Sequence, residues 1–361
     1  MDIQQFYRRF GISLKYGLKL NKPKMLYRLA VNYLMLLSGK IPIRTVDFAP
    51  TFKCNMNCKH CFASLLDDPS REPLKKEDYI RIANEAHNMG AVHIAFQGGE
   101  PLIYEELLDI INVIKPERFI VSITTNGYLL NQKKIVEFKK AGVDMFTISI
   151  DSGIAAEHDK FRQMQGAYYK AMEAVDNALK YDMGVCINTM VTRNNIYGEG
   201  LKKIIAFCKQ RKIKLTVVLP AMSGKWREAF DLMLDNDAYE YLQRLMKKHP
   251  FIRRDLDANY WHWGCGAVKE MIYVNAYGDV FPCAFIHCSL GNLKEESLSV
   301  IRERGLRIKE FSHYHHNCLA AEDMEFIKQR LKVTVGKNKL PVLLKEMFPE
   351  IYSNSTLKKV S

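Results

Sequence analysis

From residue 45 to residue 220, short runs rich in β-branched and aromatic residues alternate with longer runs of helical character, and this alternation constrains the fold more than any other feature. The predicted strands are 45–50, 91–96, 119–124, 145–150, 185–191 and 214–219. The predicted helices between them are 75–88, 104–114, 131–141, 168–180 and 198–210. Strands separated by helices predict right-handed crossovers and a parallel sheet. Six such units predict an α/β fold, a partial (β/α)6 barrel whose reactive loops follow the carboxyl ends of the strands.

Segments of different character flank the predicted barrel, to which we assign residues 45–220. Residues 1–44 form a basic helical segment, with eight Lys or Arg among the first 40 residues against Asp2 alone. Its part 25–37 is rich in Leu, Met and Tyr, which predicts either a helix packed on the main domain or an amphipathic helix lying in a membrane surface. Residues 221–260 are predicted to be a helical connection, residues 261–320 a small cysteine-containing domain, and residues 321–361 a helical tail.

Charge and hydropathy narrow the class of protein. The formal net charge of +13 is compatible with nucleic acid, anionic lipid or an acidic substrate as partner, or with a basic surface that faces water. No apolar run reaches the roughly 18–20 residues of a membrane-spanning helix, and the N-terminus lacks the layout of a secretory signal. We therefore expect a cytoplasmic protein, with peripheral membrane association through the N-terminus as the alternative. Nine cysteines in a reducing compartment indicate metal ligands rather than disulfides where they cluster.

The first cysteine cluster follows the first predicted strand directly. Cys54, Cys58 and Cys61 lie within eight residues on a loop, so their thiolates can wrap one face of an iron–sulfur cubane. A zinc site would usually supply a fourth Cys or His at short spacing, and His60 lies inside the triplet, where its ring is poorly placed to close the same shell. Three ligands leave one iron open for another molecule.

Polar residues and glycines end the following strands. Gly98 and Gly99 allow the backbone to approach a ligand closely, and the carboxylate of Glu100, before Pro101, can accept hydrogen bonds from an ammonium group. The ends of strands three to five add weaker candidates, for each of which a capping or turn role is the alternative: Thr125, Asn126, Ser149, Asp151 and Asn188.

The C-x3-C-x2-C spacing together with Gly-Gly-Glu-Pro resembles the radical S-adenosylmethionine (SAM) superfamily over roughly residues 45–320. The resemblance implies that Cys54, Cys58 and Cys61 ligate a [4Fe–4S] cluster whose fourth iron is chelated by the amino and carboxylate groups of SAM. It also implies that residues 98–101 bind the SAM amine, that His60 lies near the adenine, and that Ser149 and Asp151 lie near the methionine and ribose. Thr125, Asn126 and Asn188 would complete the SAM site.

A second cysteine group lies near the C-terminus. A turn within 271–281 predicts a hairpin that places Cys265 and Cys283 at neighbouring ends, suited to one shared metal, and Cys288 and Cys318 follow. This segment resembles the SPASM extension, or its shorter twitch form, which occurs in peptide-modifying enzymes and in the molybdenum-cofactor biosynthesis protein A family. A complete SPASM domain has more cysteines, so we expect one auxiliary cluster bound by Cys265, Cys283 and Cys318.

Other assignments of the C-terminal cysteines stay open. Cys288 is either a fourth ligand or a small buried thiol, and a zinc site is the alternative to the auxiliary cluster. Cys186 and Cys208 fall within a predicted strand and helix and are expected to be core residues.

By the same resemblance, an external one-electron reductant, similar to flavodoxin or ferredoxin, reduces the first cluster, and SAM is cleaved to methionine and a 5′-deoxyadenosyl radical that takes hydrogen from a substrate C–H bond. The extension favours peptide maturation, and a small-molecule cofactor precursor or a lipid is the alternative substrate. A non-catalytic electron carrier would not explain Gly-Gly-Glu-Pro. No nucleic-acid partner is expected, because a zinc-dependent nucleic-acid-binding protein fits poorly with the β/α alternation and the few interleaved aromatic residues. No catalytic acid or base is identified, and His313, His315 and His316 are as compatible with a solvent-exposed position as with a catalytic role.

Overall fold

The computed structural model describes residues 21–257, 259–260 and 264–353, and within them a nine-stranded sheet forms the centre of the molecule. Its strands are β1 (Thr45–Thr51), β2 (His93–Gly98), β3 (Ile120–Thr125), β4 (Met145–Ser149), β5 (Gly184–Met190), β6 (Lys214–Val218), β7 (Ile252–Arg254), β8 (Met271–Val274) and β9 (Val280–Phe281). The order is β7-β6-β5-β4-β3-β2-β1-β8-β9. All neighbouring strands are parallel except β8 and β9, which form the expected antiparallel hairpin.

Helices connect the strands, and five of them lie close to the five helices predicted between strands, whereas the helix Ala155–Arg162 was not predicted. They are α1 (Pro23–Leu37), α2 (Lys76–Asn88), α3 (Leu107–Val113), α4 (Gln132–Lys140), α5 (Ala155–Arg162), α6 (Ala167–Lys180), α7 (Glu199–Arg211) and α8 (Asn236–Lys248), and the C-terminal part adds α9 (Leu298–Leu306), α10 (Met324–Gln329), α11 (Leu344–Met347) and α12 (Glu350–Ser353). The predicted α/β fold with a partial barrel is confirmed, since the sheet among the described residues is open, with β7 and β9 at its edges.

The strands form because their side chains are buried on both faces of the sheet. In β1, for example, Val46 and Phe48 on one face and Thr45 and Asp47 on the other are all buried, as expected for parallel strands covered on both sides. Local signals fix the helix starts: the Asn131 side chain accepts a hydrogen bond from the N–H of Lys134 at the start of α4. The polar loops are thereby left at the strand ends.

Two segments differ from the sequence prediction. Residues 221–260, expected to be a helical connection, contain α8 but also β7, which extends the sheet beyond β6. The tail, expected to be helical, contains β11 (Val342–Leu343), which pairs in parallel with β10 (Cys288–Ser289). In both cases the backbone groups at the edge of a neighbouring strand pair with a short segment whose composition does not predict a strand.

The N-terminal helix α1 packs on the main domain through one face. Asn32 is buried, and its side-chain amide donates to the carbonyl of Gly90 at 2.6 Å and to the hydroxyl of Tyr260 at 2.7 Å. The opposite face exposes Tyr27, Leu34 and Leu37. Within the described residues, no helix combines the length and apolar character needed to cross a bilayer. Residues 1–20 of the basic segment and 354–361 of the tail lie outside the described residues.

Candidate functional site

The carboxyl ends of β1 to β6 surround one cavity, and the first cysteine cluster opens into it. Cys54, Cys58 and Cys61 all line this cavity. The other predicted site residues that line it are His60, Gly98, Gly99, Glu100, Thr125, Asn126, Ser149, Asp151 and Asn188. Pro101 instead begins a buried 3-10 turn beside the cavity. The fold therefore brings together groups from six strand ends that are far apart in sequence.

The glycine pair lets the end of β2 contact the cysteine loop. The N–H of Gly99 donates to the carbonyl of Thr51, and the N–H of Glu100 donates to the carbonyl of Lys53, both at 2.9 Å. A Cβ atom on Gly99 would lie 2.1 Å from the Lys53 carbonyl oxygen, and Gly98 has a φ of +121° that favours glycine. These positions require glycine because the loop that carries Cys54 lies directly against them.

Glu100 joins the ends of β2 and β3. Its carboxylate, 1% exposed, accepts hydrogen bonds from the Thr125 hydroxyl at 2.7 Å, the Asn126 N–H at 2.8 Å and the Leu102 N–H at 3.1 Å. Burial raises the pKa of Glu100, and the hydrogen bonds from Asn126 and Thr125 oppose that rise. Glu100 therefore positions the loop that follows β3, and its direct contact with a SAM ammonium group stays a prediction.

A buried arginine links the end of β4 to the first cysteine cluster. Arg162 donates through Nε to Asp151 at 2.6 Å, and its Nη1 lies 3.8 Å from the sulfur of Cys58. Burial alone would raise the pKa of Asp151, but the charge of Arg162 and its other surroundings hold it below the usual value. The sequence did not lead us to assign Arg162 to the site, although it lies only 11 residues after Asp151.

Aromatic rings and unpaired polar atoms shape the opposite side of the cavity. The ring of His60 stacks on Phe161 with centroids 4.6 Å apart, and Trp226 lies 5.7 Å away. Burial, followed by the charge of Arg162, lowers the pKa of His60 to about 3, so its ring is neutral at physiological pH. His60 Nδ1 and the Thr189 hydroxyl are buried without a hydrogen-bond partner among the described residues. Such atoms indicate that a polar ligand completes this site.

Hydrogen bonds to sulfur distinguish most of the proposed ligand cysteines from the core cysteines. The N–H of Met56 lies 3.4 Å from the Cys54 sulfur, which favours a thiolate. Three further cysteine sulfurs interact in the same way with the N–H of the residue two positions later in the chain. These pairs are Cys61 with Ala63, Cys265 with Ala267, and Cys283 with Phe285. By contrast, Cys186 lies in β5 with its thiol near the carbonyl of Ile187 and the hydroxyl of Thr216, and Cys208 is fully buried in α7.

The C-terminal cysteines form a second group, and Cys288 lies apart from it. Cys265, Cys283 and Cys318 are close enough for their thiols to interact electrostatically, and the N–H of Leu319 also contacts the Cys265 sulfur. Cys288 is fully buried in β10, where its thiol interacts with Glu346 instead. The structure therefore brings together three of the four predicted ligands.

These donor sets fit iron–sulfur clusters. Among the described residues, no three His, Cys, Asp or Glu side chains are arranged to hold a single metal ion. In a cubane each thiolate binds a different iron, so the ligands lie further apart than those of one ion. At the first site, three thiols, backbone exposed by the glycines and two unpaired polar atoms fit a cluster together with SAM.

Two further residues of the cavity wall escaped the sequence reasoning. Met190 ends β5, and its N–H donates to Asp151 at 3.0 Å. Phe285 comes from the C-terminal part, two residues beyond Cys283, and contacts Phe62 edge-on with centroids 5.6 Å apart. No local pattern could reveal Phe285, because its place depends on how the two cysteine groups pack.

Comparison with known proteins agrees with this geometry. Residues 48–208 match the model of the radical SAM superfamily, and residues 265–321 match SPASM, an iron–sulfur cluster-binding domain. An AdoMet-dependent heme synthase of Methanosarcina barkeri is 23% identical over 72% of this chain and 82% of its own length. A second one, from Oleidesulfovibrio alaskensis, is 22% identical over 76% of this chain and 78% of its own length.

Solved structures share the fold at low sequence identity. Streptococcus suis SuiB bound to its precursor peptide SuiA aligns with a TM-score of 0.62 and 17% identity, covering 84% of this chain and 76% of SuiB. The complex of anSMEcpe with AdoMet and the Cp18Cys peptide gives a TM-score of 0.54 and 19% identity, covering 82% and 86%. The chain thus contains a radical SAM domain and a SPASM domain, and it is an enzyme that uses SAM and a [4Fe–4S] cluster together with auxiliary iron–sulfur binding.

Proposed function

We propose that this enzyme removes a hydrogen atom from a C–H bond of a peptide substrate and thereby matures that peptide. The observation that carries the proposal is the cavity in which Cys54, Cys58 and Cys61 meet the ends of six strands while Phe285 of the SPASM domain forms part of the wall. A substrate in this cavity contacts both domains, as expected if the SPASM domain takes part in the reaction.

The roles of the residues follow from their places. When bound, the reduced [4Fe–4S] cluster supplies the electron that cleaves SAM to methionine and a 5′-deoxyadenosyl radical, the species that takes the substrate hydrogen. Cys54, Cys58 and Cys61 hold that cluster, the backbone of Gly98 and Gly99 receives the SAM amine, and Glu100 fixes the adjoining loops.

The remaining wall orients SAM and excludes water from the reacting atoms. The neutral ring of His60, packed between aromatic rings, suits a flat adenine, while Ser149, Asp151, Asn188, Thr125 and Asn126 offer hydrogen bonds to the methionine and ribose. Cys265, Cys283 and Cys318 would hold the auxiliary cluster, whose chemistry would be to accept the electron released when the substrate radical is oxidised. An external reductant such as flavodoxin or ferredoxin, in the cytoplasm, supplies the first electron.

The peptide assignment is supported by neighbours in fold, since both SuiB and anSMEcpe have been solved with bound peptides. A second candidate is a small-molecule precursor of haem, favoured by the heme synthases that align over about three quarters of this chain. The basic net charge suits acidic groups in either substrate.

Deuterium transfer distinguishes the two candidates. The reconstituted, reduced protein is incubated with SAM and either a peptide extract from cells grown on deuterated amino acids or a deuterated haem precursor. We expect deuterium in 5′-deoxyadenosine from the peptide extract, and none with the Cys58→Ala variant. Deuterium from the haem precursor alone would overturn the peptide proposal and establish the second candidate.

A further inference from the structure

The auxiliary site lacks a cysteine for its fourth corner. Cys265, Cys283 and Cys318 lie together, whereas the thiol of Cys288 is buried in β10 beside Glu346. A cubane with four protein ligands therefore needs a side chain from another part of the chain.

The carboxyl end of β7 brings an acidic residue to this place. β7 pairs in parallel with β6, with Val217 opposite Arg254, so the residue after Arg254 leaves the carboxyl end of β7. That residue is Asp255, the first of the 3-10 turn Asp255–Asp257. The sequence prediction of a helical connection over 221–260 concealed this placement.

Hydrogen bonds fix the turn against the loop that carries Cys318. Arg254 donates to the carbonyl of His316 and to the carboxylate of Glu322, each at 3.3 Å. The Glu322 carboxylate also accepts a hydrogen bond from the N–H of Cys318 at 2.7 Å. The backbone N–H of Cys265 donates to the carbonyl of His315 at 2.7 Å, which joins the second cysteine to the same loop.

The Asp255 carboxylate is one of the charged groups around the three cysteines. It is close enough to interact electrostatically with the thiols of Cys265, Cys283 and Cys318, and among the described residues it forms no ion pair within 4.0 Å. The Asp255 carboxylate accepts a local hydrogen bond from the N–H of Leu256 at 2.9 Å. Glu322, the other nearby acid, already receives Arg254 and the Cys318 N–H.

We propose that Asp255 is the fourth protein ligand of the auxiliary cluster, beside Cys265, Cys283 and Cys318. The proposal rests on the auxiliary cluster of the SPASM domain and adds a ligand outside the cysteine set. A carboxylate is a harder and weaker donor than a thiolate, so it leaves its iron more electron-poor and raises the reduction potential of the cluster. This suits a cluster that would accept the electron released when a substrate radical is oxidised.

The test uses the full chain with Cys54, Cys58 and Cys61 replaced by alanine, so that iron reports on the auxiliary site alone. In this background we expect Asp255→Asn to lose about one iron in four and to show the EPR signal of an oxidised three-iron cluster. Asp255→Cys should keep the full iron content and shift the reduction potential to a more negative value, because a thiolate replaces the carboxylate.

Cys288→Ser is the matched control, and it should leave iron content and EPR spectrum unchanged. The proposal is overturned if Asp255→Asn keeps both unchanged, or if Cys288→Ser produces the loss instead. A triple-alanine background that binds no iron would contradict the auxiliary cluster itself, whereas SAM cleavage by the wild type would test the first site separately.

Discussion

Removing the guanidinium of Arg162 should destabilise the protein strongly, because this group neutralises a carboxylate that is almost fully buried. The pair with Asp151 is 2.6 Å long, and the two side chains are 10% and 3% exposed. Breaking a buried pair from one side leaves an uncompensated charge and costs about 3–5 kcal/mol. We therefore expect Arg162→Gln to lower the free energy of unfolding of the cluster-free protein by about that amount.

An exposed pair of the same length supplies the control. Arg193 and Asp235 also lie 2.6 Å apart, but their side chains are 51% and 41% exposed. Arg193→Gln should cost much less than Arg162→Gln, because water screens the charges of the exposed pair. Both variants are measured by urea denaturation under anaerobic conditions, followed by circular dichroism.

A double-mutant cycle separates the pair from the rest of the site. Asp151→Asn combined with Arg162→Gln should cost less than the sum of the single changes, with a coupling of about 1–3 kcal/mol. If Arg162→Gln is as mild as Arg193→Gln, or if the two changes are additive, the argument from burial is wrong.

Two further predictions concern the loops and the barrel interior. Gly99→Ala should displace the cysteine loop, since the new Cβ would lie 2.1 Å from the Lys53 carbonyl oxygen. Equilibrium dialysis should then show that the affinity for SAM falls at least tenfold. Gly166→Ala is the control: this position has open space and a φ of +78°, so the change should cost about 1 kcal/mol of stability and leave the affinity for SAM unchanged. Burial lowers the pKa of His93 to about 3. Below pH 6.5 the unfolded chain therefore binds a proton at this ring that the folded chain does not bind, and the stability of the protein decreases as the pH is lowered. His93→Gln should make that fall shallower by about 1.4 kcal/mol per pH unit in urea denaturation between pH 6 and 4, and an unchanged slope would contradict the neutral buried ring.

The sequence predicts the central sheet well because each of its first six strands is marked by a local sequence pattern. Runs such as Met145–Ser149 and Lys214–Val218 are rich in β-branched residues and are separated by amphipathic helices. β7 escapes prediction because it is short and contains Arg253 and Arg254, which no hydrophobic pattern marks. Arg254 is accommodated only because Asp257 and Glu322, which follow β7 and Cys318, neutralise it.

The residues of the candidate site likewise fall into those that the sequence predicts and those that it does not. Glycines and polar residues at strand ends can be recognised in sequence, because the carboxyl ends of parallel strands meet at one edge. Arg162 lies at the end of α5, and Asp255 follows a strand that the sequence does not reveal, so only packing brings them to the cysteines. Cys288 matches the cysteine pattern by position but joins β10, where pairing with Val342 removes it from the group.

The central claim is that three N-terminal thiols hold a cluster with an open iron at which SAM is cleaved. The direct measurement is the yield of 5′-deoxyadenosine from SAM by anaerobically reconstituted, reduced protein, compared with the variant in which Cys54, Cys58 and Cys61 are alanine. We expect the wild type to produce 5′-deoxyadenosine, and the variant to produce none while it retains the iron of the auxiliary site. A wild type that carries iron but leaves SAM intact, or a triple variant that still cleaves it, would contradict the account.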